Sequence, residues 1–147
     1  HRETIECDVV AETDVMLCCF RRKPFEQMIE NTPHVGQRLL EMTLDELDAA
    51  REWMLVLGRK TAREKIASLL HMIAVRMASL KPGETAQTTF TLPITRETMA
   101  NYLGLTIETV SRQMSALKKD GLIAFEDRRD IRVPDLEALK AETGEDF

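Results

Sequence analysis

Between Thr95 and Leu122 the chain reads TRETMANYLGLTIETVSRQMSALKKDGL, two short helical patterns separated by a single glycine. Thr95, assisted by Thr98 or Glu97, is placed to cap a helix over residues 96–103. Gly104 ends that helix in a tight turn, because glycine enters the left-handed region without steric cost. Thr106 caps a second helix over residues 107–119, which Gly121 ends. Helices this short are marginal alone in water, so they must brace each other. Ala100 is small where the two would cross. Leu103, Leu105, Val110, Met114 and Leu117 are spaced to share one core.

The residues after Gly121 narrow the fold further. LIAFE (122–126), a polar DRRD turn and IRV (131–133) read as a β-hairpin. Two short helices, a glycine turn and a hairpin describe a winged helix-turn-helix. In such a unit the first helix braces the second, whose outer face enters a DNA major groove. The stretch GLTIETVSRQ (104–113) sets Glu108, Ser111 and Arg112 at i, i+3 and i+4, on one exposed face. An arginine there donates two hydrogen bonds to guanine O6 and N7, and a glutamate accepts from cytosine N4. The reading assigns Glu108, Ser111 and Arg112 to base edges, flanked by Thr109 and Gln113. Thr95 and Arg96 complete the DNA-facing set at the start of the first helix, where free N–H groups meet phosphates. The plainer alternative is an ordinary helical hairpin, its solvated Glu–Arg pair contributing about 0.2–0.5 kcal/mol.

Charge agrees with an anionic partner. The chain carries a net −5, yet residues 59–133 hold 13 basic and 8 acidic side chains, or +5. On the expected wing, Arg128, Arg129 and Arg132 are placed equally well for phosphates or for a plain solvated hairpin.

Upstream, residues 33–57 form one long helical pattern, free of Gly and Pro after Gly36. At about 1.5 Å per residue it spans about 35 Å. Leu40, Thr43, Leu47, Ala50, Met54 and Leu57 alternate spacings of three and four, a heptad seam. Leu39, Met42, Ala49, Trp53 and Val56 form a second stripe. Two stripes need two covers, and the reading gives one to the chain's own fold and the other to a second copy. A central helix in a larger monomeric bundle is the alternative, but little chain remains to build one. Gly58 with Arg59 reads as a hinge before a further helix over 60–80. KPGETAQ (81–87) reads as a loop, TFTL (89–92) as a short strand and 134–142 as a short final helix. At the start, IECDVV (5–10) and VMLCCF (15–20) read as two strands, and 23–30 as a helix turning Phe25, Met28 and Ile29 inward. The expected fold is mainly α with small β elements. Its divisions are 1–32, the end of a sensor domain; 33–58, a dimerisation helix and hinge; and 59–147, the winged helix.

Residues 95–122 resemble the DNA-binding domain of the CRP/FNR regulators. ExxSR (Glu108, Ser111, Arg112) resembles the signature of the FNR branch, which reads TTGAT half-sites. WMLVLGRKTAREKIASLL (53–70) resembles the end of the dimer helix, the hinge and the next helix of that branch. Residues 13–54 are similar to its FnrL group. The resemblance covers nearly the whole chain. It implies an N-terminal β-roll sensor of which only the last two strands are expected here, the chain being read as the C-terminal part of a longer protein. It also implies an oxygen-labile [4Fe–4S] cluster in that longer protein, with Cys18 as one ligand, Cys19 as its rival and Cys7 structural. With the N-terminal cysteine motif absent, no cofactor is expected in these residues themselves. The seam is implied to be the dimer interface. Ala50 stands where the branch often carries a carboxylate that opposes dimerisation. The loop 81–88 is implied to touch RNA polymerase.

Other chemistry is not signalled. No Gly-rich phosphate loop and no Ser/His/Asp or Cys/His arrangement occurs, so no enzyme is expected. His34 and His71 lack ligand spacing with any cysteine. No apolar run of about 18 residues is present, so no membrane span is expected, and the location read is cytoplasmic. The expected protein is a homodimeric, oxygen-responsive transcription regulator binding double-stranded DNA. Two alternatives remain open: a clusterless regulator of the same superfamily, controlled by a small ligand or cysteine oxidation, and a winged-helix protein-interaction module.

Overall fold

The computed structural model describes residues 9–11, 14–79, 88–127 and 129–144. It divides into two compact units, His1–Asp48 and Ala49–Phe147. The elements in chain order are α1 (Arg22–Asn31), α2 (Pro33–Arg59), α3 (Ala62–Ser79), β1 (Thr88–Thr91), α4 (Arg96–Leu103), α5 (Ile107–Lys119), β2 (Ala124–Phe125), β3 (Asp130–Val133) and α6 (Leu136–Ala141).

In the first unit, α1 forms where expected. An Arg22–Glu26 pair at 2.7 Å spans one turn, and Phe20 packs on Phe25 with centroids 5.8 Å apart. Phe25 and Ile29 are half-buried, but Met28 stays exposed, contrary to its expected inward position. Thr32 interrupts the helix after α1, and Pro33 opens α2 at the position where its missing N–H costs nothing.

The expected strands at the start do not form among the described residues. Residues 14–20 lie exposed without strand pairing, as do Val9 and Val10, while 5–8 lie outside the described residues. A strand needs a neighbour for its backbone N–H and C=O groups, and two short runs alone are marginal in water. Gly58 also departs from expectation. The helix runs through it to Arg59, and Lys60 N–H still bonds the Val56 carbonyl at 3.3 Å. One glycine weakens a helix by about 1 kcal/mol without breaking it. The break falls at Lys60–Thr61, where Thr61 caps α3. Thr61 N–H donates to the Glu64 carboxylate at 2.7 Å and Glu64 N–H to Thr61 Oγ1 at 3.4 Å, a reciprocal capping box.

The second unit holds the core. Ile66, Leu70, Met99, Leu103, Val110, Met114, Leu117, Ile123, Ile131, Val133 and Leu139 are fully buried. Helix α3 packs against α5, α6 and β1. The three strands form one antiparallel sheet in the order β1-β3-β2, with Phe90 opposite Ile131 and Phe125 on the other side of Ile131. The hairpin is thus a three-stranded wing, because residues 88–91 add an edge strand to it. The loop 81–87 lies outside the described residues.

Candidate nucleic-acid interface

Helices α4 and α5 are each built by the same two local devices. At their starts, Thr95 Oγ1 accepts from Thr98 N–H at 3.1 Å and Thr106 Oγ1 from Thr109 N–H at 3.2 Å. At their ends, glycines take left-handed backbone, Gly104 at φ 63° and Gly121 at φ 77°. The chain then folds back, Leu105 N–H to Ala100 O at 2.9 Å and Leu122 N–H to Leu117 O at 3.0 Å, as in a Schellman motif. The caps fix where each helix starts and stops, and the core fixes its rotation. Ala100 is buried at the α4–α5 contact, and Val110, Met114 and Leu117 face inward from α5.

The opposite side of α5 is therefore turned outward. Glu108 and Arg112 are exposed, and Thr109, Ser111 and Gln113 are half-buried. The five expected residues lie together on the first two turns. The Glu108 carboxylate is held below the usual carboxylate range, first by its own backbone N–H and then by the Thr106 hydroxyl. The Thr106 and Thr109 hydroxyls are 3.0 Å apart. If Thr106 gives its proton to Glu108, Thr109 gives its own to Thr106, so the three form a chain aimed at one charged group. This ties Glu108 to the helix start as an ionised acceptor.

Arg96 is placed differently. Its guanidinium carbon lies 5.5 Å from the centre of the Phe125 ring, and Lys118 Nζ lies 5.6 Å from the same ring. Lys118 is in the last turn of α5, about 15 Å along the axis from Glu108. Two cations and β2 of the wing thus meet at the far end of α5. Phe125 was not among the expected site residues, since only the tertiary fold brings it between Arg96 and Lys118. On the wing, Arg132 pairs with Glu126 at 3.1 Å, and Arg129 is exposed. Arg128 lies outside the described residues.

The expected dimer seam carries exposed apolar side chains: Leu40, Leu47, Met54 and Leu57 are 60%, 44%, 63% and 37% exposed. Thr43 and Ala50 are exposed too, and the Thr43 hydroxyl is returned to its own helix, bonding Leu39 O at 2.7 Å. Cys18 and Cys19 are free and exposed. Among the described residues no group of three or more His, Cys, Asp or Glu is placed to hold a metal ion. The chain's three cysteines are one short of a four-thiolate cluster, so these residues do not fit one on their own. No helix among the described residues is long and apolar enough to cross a membrane.

Comparison with known proteins bears on the same region. The family described as the Crp-like helix-turn-helix domain matches residues 64–142. The chain is 67% identical over 146 residues to the transcriptional activator protein FnrL of Cereibacter sphaeroides, covering 99% of this chain and 59% of that protein. It is 43% identical over 111 residues to the nitrogen fixation regulation protein FixK of Bradyrhizobium diazoefficiens, covering 76% and 46%. Among solved structures, FixK2 from Bradyrhizobium japonicum superposes with a TM-score of 0.71 at 32% identity, covering 86% of this chain and 60% of that one. These names are those of regulators, and none of them names an enzymatic reaction.

Proposed function

We propose, from the premise that this chain belongs to the family of Crp-like helix-turn-helix domains, that it is a sequence-specific DNA-binding transcription regulator working as a homodimer. One observation carries the reading. The first two turns of α5 are exposed in front, at Glu108 and Arg112, and locked behind, at Val110 and Met114. A helix that reads base edges needs both properties, because its side chains must reach the groove without the backbone yielding. Arg112 takes guanine, Glu108 takes cytosine, and Ser111 lies between them. Thr109 and Gln113 flank them. Thr95, with the N-terminus of α4, and the cations around Phe125 lie toward phosphates.

In this reading residues 59–147 are the DNA-binding unit and 33–58 the dimerisation helix, whose seam pairs with that of a second copy. Residues 1–32 end a sensor domain. Twofold symmetry sets two recognition helices about 34 Å apart, one turn of DNA. The ExxSR pattern assigns TTGAT-like inverted repeats as targets. The name of the FnrL relative, a transcriptional activator protein, favours activation, and the loop 81–88 is the contact for RNA polymerase, in the cytoplasm. The chain spans 59% of the FnrL relative, so oxygen response belongs to the longer protein. There Cys18 supplies one cluster thiolate and the other three come from outside these residues. A clusterless regulator is the second reading, favoured by the exposure of both Cys18 and Cys19, which suits control by thiol oxidation. Iron and sulfide content of an anaerobically purified longer protein separates the two.

The test of the main reading is fluorescence anisotropy on a TTGAT inverted repeat and a scrambled duplex across a salt series. Preference for the repeat is expected, with Arg112→Ala losing about 1–3 kcal/mol of it. Equal binding to both duplexes by a dimeric chain refutes the assignment of α5. Binding that ignores salt points instead to a protein-docking module.

A further inference from the structure

Within residues 49–147 a cleft of about 520 Å³ lies among the end of α2, the middle of α3 and the end of α6. That volume is in the range of small-molecule sites. One side is apolar: buried Val56 is flanked by Leu55 and Met72, which stay 46% and 44% exposed. The polar lining is rich in donors. Lys60 Nζ donates to Ser68 Oγ at 3.2 Å. Neither Lys60 nor Lys140 forms an ion pair among the described residues. The hydroxyl-bearing residues Ser68 and Thr143 are only 9% and 6% exposed. The indole N–H of Trp53, which also lines the cleft, is buried and bonds nothing among the described residues. Such orphaned donors are uncommon in folded proteins and call for a partner. His71 and the carboxylate-bearing Glu52 line the cleft as well.

Two ammonium groups outside any ion pair among the described residues, an orphaned N–H and an apolar wall complement one chemistry. We infer that this cleft binds a small organic anion, its acid group met by Lys60 and Lys140 and its aryl or alkyl body packed against Trp53, Val56 and Met72. Charge-assisted hydrogen bonds from lysine supply selectivity for the acid. Burial of the body removes from water the apolar surface that Leu55 and Met72 now expose. The Glu64 carboxylate, hydrogen-bonded by Thr61, also interacts with the Lys60 charge, so an incoming acid group shares Lys60 with it. No residue of α5 lines the cleft, so the inference does not rest on how α5 is used.

Trp53 is the chain's single tryptophan, so its emission reads occupancy directly. The 147-residue chain is titrated with benzoate and hexanoate, and with benzamide and hexanamide as neutral counterparts. The expected result is a saturable change in Trp53 emission with at least one anion, at least about tenfold tighter than with its amide. That margin should vanish in the Lys60→Met, Lys140→Met double variant. Three results overturn the inference: no saturation with either anion, equal affinity for acid and amide, or a double variant that keeps the preference. The first two need only the native chain, so they stand even where the double variant is unstable.

Discussion

The Arg63 guanidinium in the first turn of α3 bonds the Glu142 carboxylate just past α6 at 2.6 Å, joining residues 79 apart in sequence. The same guanidinium reaches Asp120, just past α5, at 2.8 Å. Both carboxylates sit at helix C-termini, where negative charge opposes the helix dipole. Arg63 offsets both and is itself 28% exposed, so solvent screens the pairs only in part. Arg63→Met is expected to lower stability by about 1 kcal/mol, read as the midpoint of urea unfolding. Arg63→Lys should recover part of that loss, since a single ammonium lacks the fork that meets two carboxylates.

The Thr61–Glu64 capping box makes stability depend on acid. Glu64 is held below its ordinary value near 4.5, first by the Thr61 backbone N–H and next by the Thr61 side chain. A depressed folded-state pKa means the carboxylate stabilises fully above the unfolded value, and that the contribution is lost as pH falls through the folded one. Unfolding midpoints measured from pH 6 down to about pH 3 should therefore fall less steeply in Glu64→Gln than in the parent. Parallel curves for the two proteins would remove the capping box from the account.

The most legible part of the sequence was the part whose structure is local. Thr95, Gly104, Thr106 and Gly121 each act within four residues of themselves, so the bounds of α4 and α5 could be read directly. The exposed face of α5 followed from 3.6-residue periodicity. The β1–β3 pairing was not legible, because it joins Phe90 to Ile131 across some forty residues and depends on tertiary packing. Arg63 escaped for the same reason. The strands expected at 5–10 and 15–20 rest on composition alone, and β-prone composition does not supply a pairing neighbour. Gly58 reads as a breaker, whereas a glycine within a long helix costs less than ending it. Cys18 is placed by resemblance, and nothing in the described residues surrounds it with further ligands.

Thr106 does two things that one substitution separates from the rest of α5. Its oxygen caps the helix through Thr109 N–H, and its hydroxyl helps hold the Glu108 carboxylate ionised. Thr106→Ala should destabilise the chain by about 1 kcal/mol. The Glu108 titration, followed by NMR, should move partway up toward its ordinary value, because the bond from its own N–H remains. Thr106→Ser should leave both measurements near the parent. An unmoved Glu108 in Thr106→Ala would place all of its depression on the backbone.

Gly104 isolates backbone strain from packing. A Cβ built there meets nothing within 4 Å, yet φ is +63°. Gly104→Ala should cost about 1 kcal/mol, with no clash to relieve. Gly104→Asn should cost less, as asparagine tolerates this region. Equal stability of all three proteins in urea would mean the turn adopts another conformation in solution.

The seam of α2 yields the prediction with the largest effect. Leu40, Leu47, Met54 and Leu57 expose apolar surface in heptad register, and a twofold dimer buries each of them twice. Leu47→Gln is expected to weaken dimerisation by roughly 3 kcal/mol, on the order of a hundredfold in Kd, measured by sedimentation equilibrium. Ala50 tests charge at the same seam without a large change of packing. Ala50→Glu brings two carboxylates together across the axis and should weaken the dimer at neutral pH. Acidification should restore it, because a protonated pair no longer repels. Ala50→Gln, of similar size and uncharged, should show no such pH dependence. A parent chain that sediments as a monomer at every accessible concentration would remove the seam from the interface. Similar behaviour of Ala50→Glu and Ala50→Gln at all pH values would instead place Ala50 away from the twofold axis.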